Sequence, residues 1–118
     1  MATVTPTTVT RGGKGKVEVT WAGVVTGDTL VEHLVTRAPA LVSLQASGTF
    51  AGGTSVGLQA SNISASFADC VDAEGTAITG KTAGFLSTVG TPARGYKPKI
   101  ASGSADSVTF TLVYWGEV

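Results

Sequence analysis

Charge is scarce in this chain. Eight basic and eight acidic side chains occur in 118 residues, so charged residues make up 14% and the formal net charge is zero; an average soluble domain carries about 25%. Balanced, thinly spread charge argues against a basic grip on nucleic acid and against an acidic tail. There is a single cysteine, Cys70, which excludes an intrachain disulfide framework and a multi-cysteine zinc site. It reads as a small buried apolar side chain. No apolar run approaches the roughly 20 residues of a transmembrane helix, so no membrane partner is expected. The opening Met-Ala-Thr-Val-Thr-Pro-Thr-Thr has no charged start followed by an apolar core. That reads as no signal peptide and synthesis in a cytoplasm.

Gly, Ala, Ser and Thr stand where the missing charge would be. A weakly charged, mildly apolar surface favours self-association over life as a free monomer. The composition therefore points to a protein whose surface is covered by partners.

The strongest structural signal is Ser107 to Trp115, Ser-Val-Thr-Phe-Thr-Leu-Val-Tyr-Trp. Successive side chains of a strand point to opposite faces, so Val108, Phe110, Leu112 and Tyr114 share one face. Thr109, Thr111, Val113 and Trp115 share the other. β-Branched and aromatic residues fill the run without Gly or Pro, as in a central strand. Its second face is apolar enough to be covered by another chain or a larger assembly. Lys16 to Trp21 alternates in the same way, with Val17, Val19 and Trp21 inward. Gly27-Asp28 marks a turn, and Pro39 interrupts the pattern after Val35. Further strands read at Ala40–Ala46, Thr54–Ser61 with Gly57 as a bulge or close-approach point, Ile63–Val71 and Thr76–Thr79. Gly95–Ala101 reads as an edge strand because of Pro98. Residues 80–91 fit either one helical turn or a loop with an apolar plug. The expected fold is all-β, a single-domain β-sandwich or jelly roll of about 7–8 short antiparallel strands. Residues 1–15 are expected to form an extended N-terminal arm and residues 16–118 the sandwich.

Catalysis needs groups that attack, move protons or hold a metal. His33 is the only histidine, no Gly-x-Ser-x-Gly is present, and His33 and Cys70 share no supporting spacing. Asp69, Asp72 and Glu74 are too few for Ca²⁺ without an EF-hand pattern and read as a solvated turn. No catalytic, metal or cofactor site is expected, and the chain is not read as an enzyme. Arg11-Gly-Gly-Lys14-Gly-Lys16 lacks the spacing of a phosphate-binding loop. It reads first as a soluble hairpin turn or arm hinge; the functional alternative is that its three cations, Arg11, Lys14 and Lys16, meet acidic groups on a partner. Among the aromatics, Trp21 and Tyr114 fall on core registers. Tyr96 and Trp115 are the candidate partner anchors. Trp115 also suits the stacking of a sugar ring.

From Gly48 onward the order of features resembles a known family. Gly48-Thr-Phe-Ala-Gly-Gly-Thr-Ser-Val-Gly-Leu-Gln-Ala-Ser-Asn62 is followed by the Asp72-x-x-Gly75 turn, then Arg94-Gly-Tyr96-Lys-Pro98, a Ser/Gly loop, and the Val108–Leu112 strand. This order, over roughly the last 70 residues, is similar to that of capsid decoration (cement) proteins and related head-fibre proteins of tailed bacteriophages. The chain departs from the pattern after Asn62, where Ile63-Ser-Ala-Ser replaces an Asp-Gly and an aromatic. The resemblance implies a sandwich or jelly roll that binds the outside of the head as a dimer or trimer. Its partner would be the major capsid protein, whose subunits it would bridge, and its place the outer surface of the virion. The N-terminal arm would reach a neighbour by strand addition. The alternative is a carbohydrate-binding sandwich on a fibre or similar appendage, using Trp115.

Overall fold

A computed structural model describes the backbone of residues 2–11, 16–35 and 39–116, and the side chains of all of these except 11, 39, 40 and 116. Among the described residues there is no helix. The strands are β1 (Thr3–Val4), β2 (Thr7–Arg11), β3 (Lys16–Val24), β4 (Thr29–Leu30), β5 (His33–Leu34), β6 (Pro39–Thr49), β7 (Ser55–Ser61), β8 (Ala68–Asp69), β9 (Phe85–Thr88), β10 (Gly95–Ala101) and β11 (Ser107–Gly116). Seven of them run four residues or longer, in line with the seven or eight expected. A five-stranded antiparallel sheet has the order β2-β3-β11-β6-β9, and a four-stranded one the order β5-β10-β7-β8. β1 and β4 form a small parallel pair. The two larger sheets face each other as a β-sandwich.

β11 is the central strand its sequence predicts, hydrogen-bonded to β3 on one side and β6 on the other. Its inward Val108, Phe110, Leu112 and Tyr114 are fully buried. They pack with Val17, Val19 and Trp21 of β3, Leu44 and Ala46 of β6, and Val56, Leu58 and Tyr96 from the facing sheet. The indole Nε1–H of Trp21 donates to Val31 O at 2.8 Å, so its polar edge is satisfied inside the core. Strict alternation would expose Val24, three residues after Trp21, yet both are buried. A bulge resolves this: the register shifts between Val108 and Phe110, and Gly23 takes a left-handed φ of +62° that a side chain resists. Two residues of β3 then oppose one of β11, and Val24 turns back into the core.

Gly57 is a close-approach point, as its place in a strand suggests. A Cβ there would lie 2.5 Å from Ile78 O and 2.9 Å from the Thr79 Cα. Leu58 N–H donates to Ile78 O and Cys70 N–H to Leu58 O, so the segment around Ile78 is stitched across β7. Those bonds also explain Pro98. Leu58 turns its backbone groups away from its β10 partner Pro98, making that pair the kind without mutual hydrogen bonds. The donor that Pro98 lacks would therefore point away from β7, where β5 has already ended. β10 is thus an interior strand at Gly95–Tyr96 and an edge at Pro98.

Four expectations change, the first being Thr76–Thr79, which forms no strand and only an isolated bridge from Ala77 to Val71. Thr3–Val4 and Thr7–Arg11 of the expected arm pair with β4 and β3 of the same chain, so in this fold they complete the sandwich. Ile63–Val71 contributes only the two-residue β8, because residues 62–65 bend and Ser64 adopts φ +57°. Within residues 80–91, Phe85–Thr88 forms a strand. Phe85 packs against the core and Leu86 faces outward.

Candidate functional site

Registers across the five-stranded sheet assemble its outward face row by row. Arg11, Lys16, Trp115 and Leu41 stand side by side on β2, β3, β11 and β6. The next row is Val9, Glu18, Val113, Ser43 and Thr88, followed by Thr7, Thr20, Thr111, Gln45 and Leu86. Leu41 is 62% exposed and Leu86 70%. Large aliphatic side chains at that exposure keep apolar area in water, whose burial by a partner would be favourable by about 25 cal/mol per Å². Trp115, Val113, Thr111 and Thr109 are half-buried. The described charges on this face are Lys16 and Glu18, whose Nζ and Oε2 lie 3.6 Å apart. A solvent-exposed pair of this kind contributes little to stability. Lys16 Nζ also lies 5.8 Å from the centre of the Trp115 ring, within cation–π range.

The outward face of the four-stranded sheet differs. Lys97 Nζ sits 4.2 Å from the Phe67 ring centre, and Lys99 Nζ donates to Asp69 Oδ1 at 2.6 Å. This face is ionic and hydrated, whereas the other is threonine-lined and apolar.

At the far end of the sandwich from Trp115, Asp106 gathers three loops. Its carboxylate accepts from Thr26 N–H at 3.0 Å, Thr26 Oγ1 at 2.7 Å and Thr54 Oγ1 at 2.7 Å. These hydrogen bonds hold its pKa below the ordinary carboxylate value, Thr54 contributing most. This is a structural hub; sequence reasoning passed over it because Asp106 ends an unremarkable Ser/Gly loop.

The structure brings together Lys16 and Trp115, with Arg11 beside Lys16 by backbone register. The Arg11 side chain and all of Lys14 lie outside the described residues. Tyr96 is a correction. It is fully buried, and its hydroxyl donates to Thr91 O at 2.6 Å and accepts from Ala93 N–H at 3.1 Å. Its position on the inner face of β10, opposite Ala60 and His33, makes it a packing residue. Leu41 and Leu86 were missed as surface residues. Leu41 was legible, since it precedes the inward Val42, Leu44, Ala46 series and so must face out.

Cys70 is fully buried, and burial pushes its thiol up to about 12; a thiol so far from its thiolate is a weak nucleophile. Asp72 Oδ1 caps its turn by accepting from Glu74 N–H and Thr76 N–H, and Asp69 is engaged by Lys99. Among the described residues, no group of three or more His, Cys, Asp or Glu side chains is arranged to hold a metal ion. No helix there is long and apolar enough to cross a membrane. No known family model matches the chain, and no curated protein matches it either.

Proposed function

We propose that this chain is a structural subunit that coats a protein shell, decorating the outside of a phage head and bridging its major capsid protein subunits. The observation that carries the reading is the contrast between the two outward sheet faces. Among the described residues, the five-stranded face offers Trp115, Leu41, Leu86 and Val9 among threonines, with one neutralising Lys16–Glu18 pair. Aromatic and aliphatic groups with few charges are what the centre of a protein–protein interface uses. The order of motifs from Gly48 to Leu112 supports the phage assignment. Several copies engaging a repeated lattice convert modest single contacts into tight overall binding. The reinforcement of the shell then comes from bridging contacts and requires no chemistry. The carbohydrate reading draws less support, because Lys16 already shares the Trp115 ring.

The test is co-sedimentation of the purified chain with heads assembled from the major capsid protein of the same genome, alongside a glycan array. Saturable binding to heads that raises their melting temperature supports the proposal. Glycan binding abolished by Trp115→Ala, with no association with heads, overturns it in favour of the sugar-binding module.

A further inference from the structure

An exposed strand edge is a template for pairing, and folded chains protect such edges with proline, lysine, bulges or very short strands. Most edges here are protected in one of these ways. β5 and β8 are two residues long and β9 is four, and the open side of β10 carries Pro98 between Lys97 and Lys99. β2 is different. Thr7-Thr-Val-Thr-Arg11 pairs with β3 in unbroken register, has no bulge or proline, and keeps its single charge at the last position. Thr7, Thr8, Val9 and Thr10 are all exposed. Thr8 and Thr10 oppose Val19 and Val17 of β3 and share their inward face, yet the four-stranded sheet does not extend beneath them. β2 is therefore held by its backbone ladder, and none of its described side chains is buried.

We propose that β2 is the seam of a symmetric dimer, in which β2 of a second copy of this chain adds antiparallel to it and joins two five-stranded sheets into one. A second copy fits as the occupant because the edge from Thr7 to Thr10 carries no charge that would repel its own image. With the two-fold axis at Val9, all five residues pair: Thr7 with Arg11 of the second copy, Thr8 with Thr10, and Val9 with Val9. A shift by one residue in either strand's centre leaves fewer pairs, and one that centres on Arg11 sets two cations face to face. In the full register no like charges oppose each other across the seam. Glu18 of each copy is separated from the other by both Val9 side chains. Both copies present the same patch, as a two-fold interface requires, and threonine and valine are good cross-strand partners. This inference does not depend on the capsid reading, since it concerns only how two copies meet.

Sedimentation velocity on the full chain, combined with oxidation of single-cysteine variants, tests it. In the proposed register the two Val9 Cβ atoms lie about 4.5–5.5 Å apart, so Val9→Cys forms a disulfide-linked dimer on mild oxidation. Thr7→Cys does not, because four residues separate the two positions along the seam. The native Cys70 is fully buried and does not compete. The double variant Thr8→Lys/Thr10→Lys places lysines opposite each other across the seam, and both sites are exposed in the monomer. It is expected to sediment as a monomer with the wild-type circular dichroism spectrum, and its unfolding midpoint no longer rises with protein concentration as that of a dimer does. A wild-type chain that stays at 11.8 kDa at every concentration overturns the proposal. So does a dimer in which Val9→Cys fails to cross-link, or in which Thr7→Cys cross-links equally well.

Discussion

His33 Nε2 and Tyr114 Oη lie 2.9 Å apart, joined by a hydrogen bond that runs from one sheet of the sandwich to the other. His33 belongs to the short β5 of the four-stranded sheet and Tyr114 to the central strand of the five-stranded sheet. Their ring centroids are 5.7 Å apart with the planes tilted by 41°. Both residues are buried, so this polar contact ties the sheets together at the end that carries Trp115 and Lys16.

The contact gives the fold an acid-sensitive point. Burial lowers the pKa of His33 below its ordinary value of 6.5, because a charged imidazole loses hydration inside the core. The unfolded chain then binds the proton more readily than the folded one, so this contribution to stability is complete above about pH 6.5 and declines as the pH falls toward the lowered folded value. The urea midpoint is expected to drop between pH 7 and pH 5. In His33→Gln, that part of the decline disappears. A wild-type midpoint that is flat over this range would contradict the burial of His33.

Tyr96 has a different role from the one its aromatic character invites. Its hydroxyl closes the 91–96 turn by bonding Thr91 O and Ala93 N–H. Tyr96→Phe keeps the ring packed and leaves both backbone groups without that partner, at a cost of about 1–3 kcal/mol. The expected result is a lower thermal midpoint with binding to heads unchanged per folded molecule. Loss of binding in a fully folded variant would return Tyr96 to the interface.

What the sequence shows and what it hides can be traced to particular residues. Val108 to Tyr114 alternates over a long run, so both its strand and its central place are readable without coordinates. Tyr96 reads as an anchor from its aromatic character alone; its burial comes from the inner face of β10, which it shares with Pro98, and a short strand interrupted by proline gives no alternation clear enough to show which face is inward. The exposed Leu41 follows from the alternation of Val42, Leu44 and Ala46. Leu86 does not, because glycines surround it and leave no pattern to read. The Asp106 hub joins residues 80 and 52 positions apart, a link that only the fold creates.

That hub makes a second pH-dependent contribution, of the acid-group kind. Hydrogen bonds from Thr54 and Thr26 lower the pKa of Asp106 from its ordinary 3.8. Its stabilisation is therefore present above about pH 4 and is lost as the pH falls through the lowered folded value. Asp106→Asn is expected to reduce the urea midpoint at pH 7 and to converge on the wild type in strong acid. Hydrogen exchange should rise at Thr26, whose amide donates to this carboxylate. Equal midpoints for variant and wild type at pH 7 would remove the hub from the account of stability.

Gly57 tests the stitching across β7. A methyl group at this position meets Ile78 O at 2.5 Å and Thr79 Cα at 2.9 Å, and both are backbone atoms fixed by the Leu58 N–H to Ile78 O bond. Relief requires the 78–79 segment to move away from the sheet. Gly57→Ala should therefore destabilise by about 1–3 kcal/mol, the usual cost of overpacking, although alanine favours a strand backbone more than glycine does. Calorimetry decides between the two effects, and a midpoint at or above wild type means the segment moves freely.

The choice between the two outward faces is open to direct test, because residues on both can be changed without touching the core. Leu41 and Leu86 are largely exposed, so Leu41→Asp and Leu86→Asp should alter stability by no more than about 0.5 kcal/mol. On the proposed docking face, each would bury a charge against the partner surface and weaken binding to heads by at least about tenfold, as expected where an unpaired charge enters an interface. Lys99→Ala on the opposite face removes the Lys99–Asp69 pair and should leave binding intact. Lowered binding from Lys99→Ala with full binding from both leucine variants would transfer the docking surface to the four-stranded sheet. Electrostatic docking through that face would also weaken with added salt, whereas contact through the five-stranded face is expected to be nearly insensitive to it.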